Sequence, residues 1–189
     1  GVSDGNEFAL GLDPLSNLLI TTGVIASQPL PGQALDIAVQ RCGEERQTQR
    51  EQIMELRGWW LQRMAKGPRP LQEKMVLFWH GHFATSVEKV RDAYLMWRQN
   101  ELFRRLANAN WQRLLAEVAR DPAMLVWLDG RLNVRSAPQE NFAREVMELF
   151  TMGIRPSDTA PNNYTEDDVK AAARVFTGWN LRVDPRGTD

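Results

Sequence analysis

Two clusters of residues in this sequence have the types and spacing for chemistry. The first is His80-Gly81-His82, which holds both histidines of the chain. An imidazole can ligate a metal or move a proton near neutral pH. A metal-binding histidine pair on a straight helix is spaced i, i+3 or i, i+4. Spacing i, i+2 turns the two side chains about 200° apart, at about 100° per residue. On extended backbone the same spacing puts them on one side. Both rings reach one site only if the helix ends near His80, and Gly81 weakens a helix at that point. The alternative is that one ring bonds to backbone at the end of a Trp-rich helix while the other faces solvent.

The second cluster lies on a helix expected from Pro138 to about Thr151. Helical spacing puts Phe142, Val146, Leu149 and Phe150 on one face, the core stripe. Asn141, Glu145 and Glu148 form a second stripe that borders the core. Glu140 and Arg144 share the far face and can pair at i, i+4. Two carboxylates three residues apart repel unless a cation, a shared proton or a metal compensates. In helical bundles, Glu and His from facing helices hold metals. The candidate metal set is therefore His80, His82, Glu145 and Glu148, around a divalent ion. Glu145 and Glu148 are also the candidate catalytic carboxylates, with Asn141, Arg144 and Trp79 as binding residues. A metal would lower the pKa of bound water and a free Glu would take its proton, the chemistry of a metal-assisted or carboxylate-based hydrolase. The competing reading is an ion-pair network with an arginine such as Arg91, Arg98 or Arg174, which perturbs carboxylates just as strongly. Both readings predict that the end of the 71–80 helix packs near the middle of the 138–151 helix. At least one His then comes within hydrogen-bond reach of Glu145 or Glu148.

Other chemistries lack their residues. Ser86 lies near the histidines in sequence, but proximity alone does not make a triad. The single cysteine, Cys42, cannot form an internal disulfide or a thiolate cluster. There is no Gly-rich phosphate loop, nucleophile elbow or zinc-protease helix. A net charge of −1 argues against a dedicated nucleic-acid binder. No run of 18 apolar residues is present, so no helix is expected to span a membrane. Hydrophobic residues at 43% argue against a disordered chain. Seven Trp against two Tyr point to a Trp-rich core, the more usual fate of such residues than an aromatic ligand platform.

The elements that must position these residues read as helices. Residues 1–32 are rich in Gly and Pro and form a loop-rich leading segment, with a short helix near 14–21. Ile53, Leu56, Trp60 and Met64 mark a helix over 44–66, stopped by Gly67-Pro68. Helices follow over 71–80, 91–108 and 111–120. Asp121-Pro122 starts a short one holding Met124, Leu125, Trp127 and Leu128. The helix from Pro138 ends at Gly153. Thr165-Glu166-Asp167-Asp168 opens a last one to about Phe176 with a capping box. No alternating strand pattern occurs, so the expected class is all-α, an irregular multi-helix bundle over 33–180 with a polar tail at 181–189.

Three stretches carry a family resemblance. They are Lys74-Met75-Val76-Leu77-Phe78-Trp79-His80-Gly81-His82-Phe83, then Asp121-Pro122-Ala123-Met124-Leu125-Val126-Trp127-Leu128-Asp129, then Glu140-Asn141-Phe142-Ala143-Arg144-Glu145-Val146-Met147-Glu148-Leu149-Phe150. The last continues as Tyr164-Thr165-Glu166-Asp167-Asp168-Val169 and Phe176-Thr177-Gly178-Trp179. In this order they resemble the bacterial family called domain of unknown function 1800, over roughly residues 50–180. Gln139 stands where that family more often shows Asn. The resemblance implies a longer parent chain, with a further His-Asp element and a C-terminal half missing here, and an exported or cell-envelope setting. It implies no biochemical activity.

Overall fold

Short polar side chains and prolines set most of the helix starts. The computed structural model describes residues 31–181, with side chains from Gln47 onward. The expected helix near 14–21, most of the leading segment, the Cys42 side chain and residues 182–189 lie outside that description. Among the described residues there are eight helices packed together and no strand. The one extended pairing is an isolated antiparallel bridge, Val134 with Ala137.

Helix α1 spans Pro31–Lys66. It begins well before residue 44, because Pro31 suits the first turn and no proline follows it. It stops at Gly67, where a Cβ would lie 2.4 Å from the Arg63 carbonyl oxygen, so a side chain there would push the turn apart. Helix α2 spans Pro70–Phe83 and ends on Ala84 in the left-handed region. It therefore runs one turn beyond the end expected at His80. Gly81 costs a helix about 1 kcal/mol. Burying Phe83, which is 1% exposed against Phe103 and Phe150, contributes about 2–3 kcal/mol and wins.

The helix expected over 91–108 is present as Ala93–Leu106, and a separate short helix precedes it. Helix α3, Val87–Val90, is capped by Ser86, whose Oγ accepts from the Glu88 N–H at 3.2 Å. Arg91 then turns left-handed, at φ 54°, and Asp92 caps helix α4, Ala93–Leu106. Helix α5 is Trp111–Ala119 and helix α6 is Pro122–Trp127, capped by Asn110 and Asp121 as their types predict. Helix α7, Asn141–Glu145, passes directly into a π turn, Val146–Thr151. Helix α8 is Glu166–Val175.

The main core joins α2, α4, α5, α6 and the π turn through Phe83, Phe103, Leu114, Val118, Met124 and Phe150. Trp79 stacks on Trp111 with ring centroids 5.4 Å apart, and with Trp60 and Trp127 these rings pack, partly buried, against the core, while Trp179 is exposed. The π turn alters one expected core position. Winding the helix more widely rotates later side chains out of the α register. Leu149 is accordingly 59% exposed while Phe150 is buried.

Helix α8 is fastened to α7 by Ala143, Val169 and Ala173. Its capping box is complete: Thr165 Oγ1 accepts from the Asp168 N–H, and Asp168 accepts from the Thr165 N–H at 2.8 Å. Thr165→Ala is expected to destabilise α8 by about 1 kcal/mol. Amide exchange should speed up across Glu166–Val175 and hardly change in α4; unchanged exchange in α8 would show the cap to be dispensable.

Candidate functional site

Because α2 continues through Phe83, His80 and His82 stay helical and diverge. His80 lies edge-on against Trp60, with ring centroids 5.3 Å apart, and lines a cleft beside α1. Burial pushes its pKa below the usual histidine value, so its ring is neutral at pH 7. His82 points to the other side. Its ring lies within 5.0 to 6.3 Å of those of Phe78, Trp79, Phe83, Trp111 and Phe150. Its Nε2 is 3.3 Å from the Phe150 carbonyl oxygen, to which it donates in the Nε2–H tautomer. That oxygen is in the last turn of a helix, where carbonyls lack intrahelical partners.

The expected juxtaposition of the 71–80 and 138–151 segments thus exists, but through backbone. Neither histidine is hydrogen-bonded to Glu145 or Glu148. Among the described residues, no three His, Cys, Asp or Glu side chains gather as a set that could hold a metal.

The two carboxylates do act on each other. Burial first, and then the charge of Glu148, raise the Glu145 pKa against the opposing charge of Arg144. Glu148 accepts a hydrogen bond from the Tyr164 hydroxyl at 2.6 Å. A phenol, not one of the arginines considered from sequence, is its partner. The π turn places this pair: Met147 carbonyl oxygen accepts from the N–H groups of both Met152 and Gly153, at 2.9 and 3.0 Å. Gly153 closes the turn at φ 73°, a left-handed conformation that glycine adopts without strain.

The three expected binding residues each have a structural partner. Asn141 donates to Asp129 at 3.3 Å, and Asp129 also pairs with Lys89 at 2.8 Å. Arg144 makes two hydrogen bonds to Glu166, at 2.9 and 2.8 Å, and one to Glu140 at 3.2 Å. Trp79 donates its indole N–H to the Ala107 carbonyl at 2.9 Å. Ser86 is a helix cap, as described above.

Sequence reasoning missed the most buried polar groups. Arg104 is 5% exposed and holds Glu73 through two bonds, 2.7 and 2.9 Å long. Asn100, Glu101 and Arg63 complete the cluster. Burial alone would raise the Glu73 pKa, but its bonds and charge pairing with Arg104, then with Arg63, bring it below the usual value. Gln99 donates to Asp121 at 2.7 Å and to Thr85 at 3.2 Å inside the same bundle. One signal was available: Gln99, Asn100 and Arg104 are spaced four and five apart on α4, beside Leu102, Phe103 and Leu106.

Among the described residues, eight helices packed over three apolar clusters, with no convergent metal set, define a helical domain. A family model described as a protein of unknown function, DUF1800, matches residues 10–189, and the chain belongs to that family. No curated protein and no solved structure matches it.

Proposed function

We propose that this domain is a non-catalytic helical framework, in which the His, Asn, Arg and Glu side chains read as a hydrolase site lock helices together. The observation that carries the reading is His82: its part-buried ring packs among aromatic side chains and, in the Nε2–H tautomer, its N–H is spent on the Phe150 carbonyl. Asn141, Arg144 and Glu148 support it in the same way, each joining two segments. Leu71, Leu77 and Phe78 are at least half exposed on α2, which suits a framework against which further chain packs.

The test compares variants of the full chain. His82→Ala is expected to cost about 2 kcal/mol in urea unfolding, through lost packing and an orphaned carbonyl. His80→Ala should cost less than half of that. Elemental analysis after purification with excess zinc or manganese should show no bound ion. About one metal per chain, lost in both His80→Ala and Glu148→Gln, would replace this reading with the metal-assisted hydrolase.

One observation favours a second reading. Glu145 has a raised pKa and no hydrogen bond, which suits a carboxylic acid that protonates a leaving group while Glu148 serves as base. A hydrolytic activity of the full chain that Glu145→Gln abolishes without unfolding would establish it.

A further inference from the structure

Helix α1 leaves a cleft along its contact with the ends of α2, α3 and α4. Its inner part has a volume of about 410 Å³, within the range of small-molecule sites. Leu56, Trp60 and Met96 give it apolar walls, and His80 lies at its edge. The Trp60 indole N–H is buried and has no hydrogen-bond partner. An unpaired buried donor is costly, and a turn of the indole toward a ligand acceptor in the cleft would relieve that cost. The His80 ring has no hydrogen bond among the described residues, and as a neutral ring it can accept at one nitrogen and donate at the other.

An outer cavity of about 810 Å³ adjoins this one across Ile53, Arg57 and Val87. Arg50, Arg57 and Arg91 line it, with Glu88 as the one carboxylate among its lining residues. Among the described residues, none of the three arginines has an ion-pair partner. Arg91 donates to the Glu88 backbone carbonyl at 3.2 Å, and the nearest polar contact of Arg57 is Met54 Sδ at 4.0 Å. This contrasts with Arg63, Arg104 and Arg144, all of which have carboxylate partners. Three unpaired guanidiniums beside one carboxylate leave a local positive field. Guanidinium forks suit planar carboxylates and phosphates.

We infer that this cleft binds an organic anion, with its apolar body against Trp60 and Met96 and its carboxylate or phosphate among Arg50, Arg57 and Arg91. The site is independent of the framework reading, since none of its residues locks α7 or α8.

The probes are 2-naphthoate, 2-naphthyl phosphate, neutral methyl 2-naphthoate and inorganic phosphate, titrated into the full chain. Calorimetry gives the affinity, and the NMR signals of the indole N–H groups show where the probe sits. At least one of the two organic anions should bind with a Kd on the order of 0.1 mM. The tighter one identifies the headgroup. The neutral ester and inorganic phosphate should each bind at least about tenfold more weakly, and binding should fall with salt. Arg57→Ala, an exposed change that leaves the fold intact, should weaken binding about tenfold. Trp60→Phe, which keeps a ring but removes the donor, should weaken it several-fold, with folding checked by circular dichroism. No binding of either anion at 5 mM, on the order of fifty times the expected Kd, would overturn the site. So would an ester that binds as tightly as the acid, or an Arg57→Ala chain with unchanged affinity.

Discussion

Glu73→Ala is expected to cost about 3–5 kcal/mol. The reason is what it leaves behind. Arg104 is 5% exposed, and two of its nitrogens bond Glu73 at 2.7 and 2.9 Å. Two further donors go to Asn100 at 2.6 Å and to Glu101. Its guanidinium lies 5.1 Å from the Trp59 ring centre, and its backbone carbonyl accepts from Gln72 at 2.9 Å. Removing Glu73 leaves a permanent, buried cation with the part-exposed Glu101 as its remaining carboxylate partner, because arginine does not lose its proton. Arg104→Lys should also be poorly tolerated, since an ammonium cannot span both carboxylate oxygens. Replacing both partners, as Glu73→Leu with Arg104→Met, should recover most of the loss, because the desolvation cost disappears with the charges. Urea unfolding of the two single variants and the double variant gives the coupling directly. A Glu73→Ala chain within about 1 kcal/mol of the parent would mean that water already reaches Arg104.

This cluster also shows where the sequence stops being informative. Two helix starts were legible because they depend on local chemistry: Asp121-Pro122 and Thr165 through Asp168 form caps whose donors lie three residues away, whereas α1 starts at Pro31 instead of 44 and α7 at Asn141 instead of 138. The all-helical class was legible for the same reason. The end of α2 was not, because Gly81 argues for a local stop while distant Phe103 and Phe150 hold Phe83 in place. The π turn was invisible as well. Its extra residue per turn takes Leu149 out of a core stripe that a 3.6-residue period assigns it, and only the packing of Phe150 reveals the shift. Of the candidate site, the sequence showed which carboxylates border the core. It could not show that Tyr164 reaches Glu148 or that His82 bonds backbone, since both contacts depend on how separate segments meet.

Stability should respond to pH through Asp121, with a sign opposite to that of a salt-bridged carboxylate. Asp121 is 4% exposed, and its carboxyl is pushed up to about 6 from an ordinary 3.8. Burial causes the rise, outweighing the Met124 N–H, the Gln99 amide and the charge of Arg98. A group that binds its proton more tightly when folded makes the fold more stable as pH falls. The gain begins near pH 6 and is complete below about pH 4. A span of about two pH units at about 1.4 kcal/mol each amounts to roughly 3 kcal/mol. Glu73, held below its usual value, contributes the other way: its share is lost as pH falls through its folded pKa. The comparison with Asp121→Asn separates the two. Asparagine keeps a carbonyl oxygen for the Met124 N–H, now 3.0 Å from Asp121 Oδ2, but cannot titrate. The parent should therefore gain roughly 3 kcal/mol on Asp121→Asn between pH 7 and pH 4 in urea unfolding. Gln99 gives the gain a structural form. Its Oε1 is buried without a partner, while its Nε2 donates to Asp121 and Thr85. Once Asp121 is protonated, a rotated Gln99 amide can accept that proton at Oε1, with Nε2 then moving to the position where Oε1 now lacks a partner. The side-chain amide signals of Gln99 should then shift with the same midpoint, near pH 6. A stability difference that stays flat from pH 7 to pH 4 would show that Asp121 remains ionised and that Gln99 keeps its present orientation.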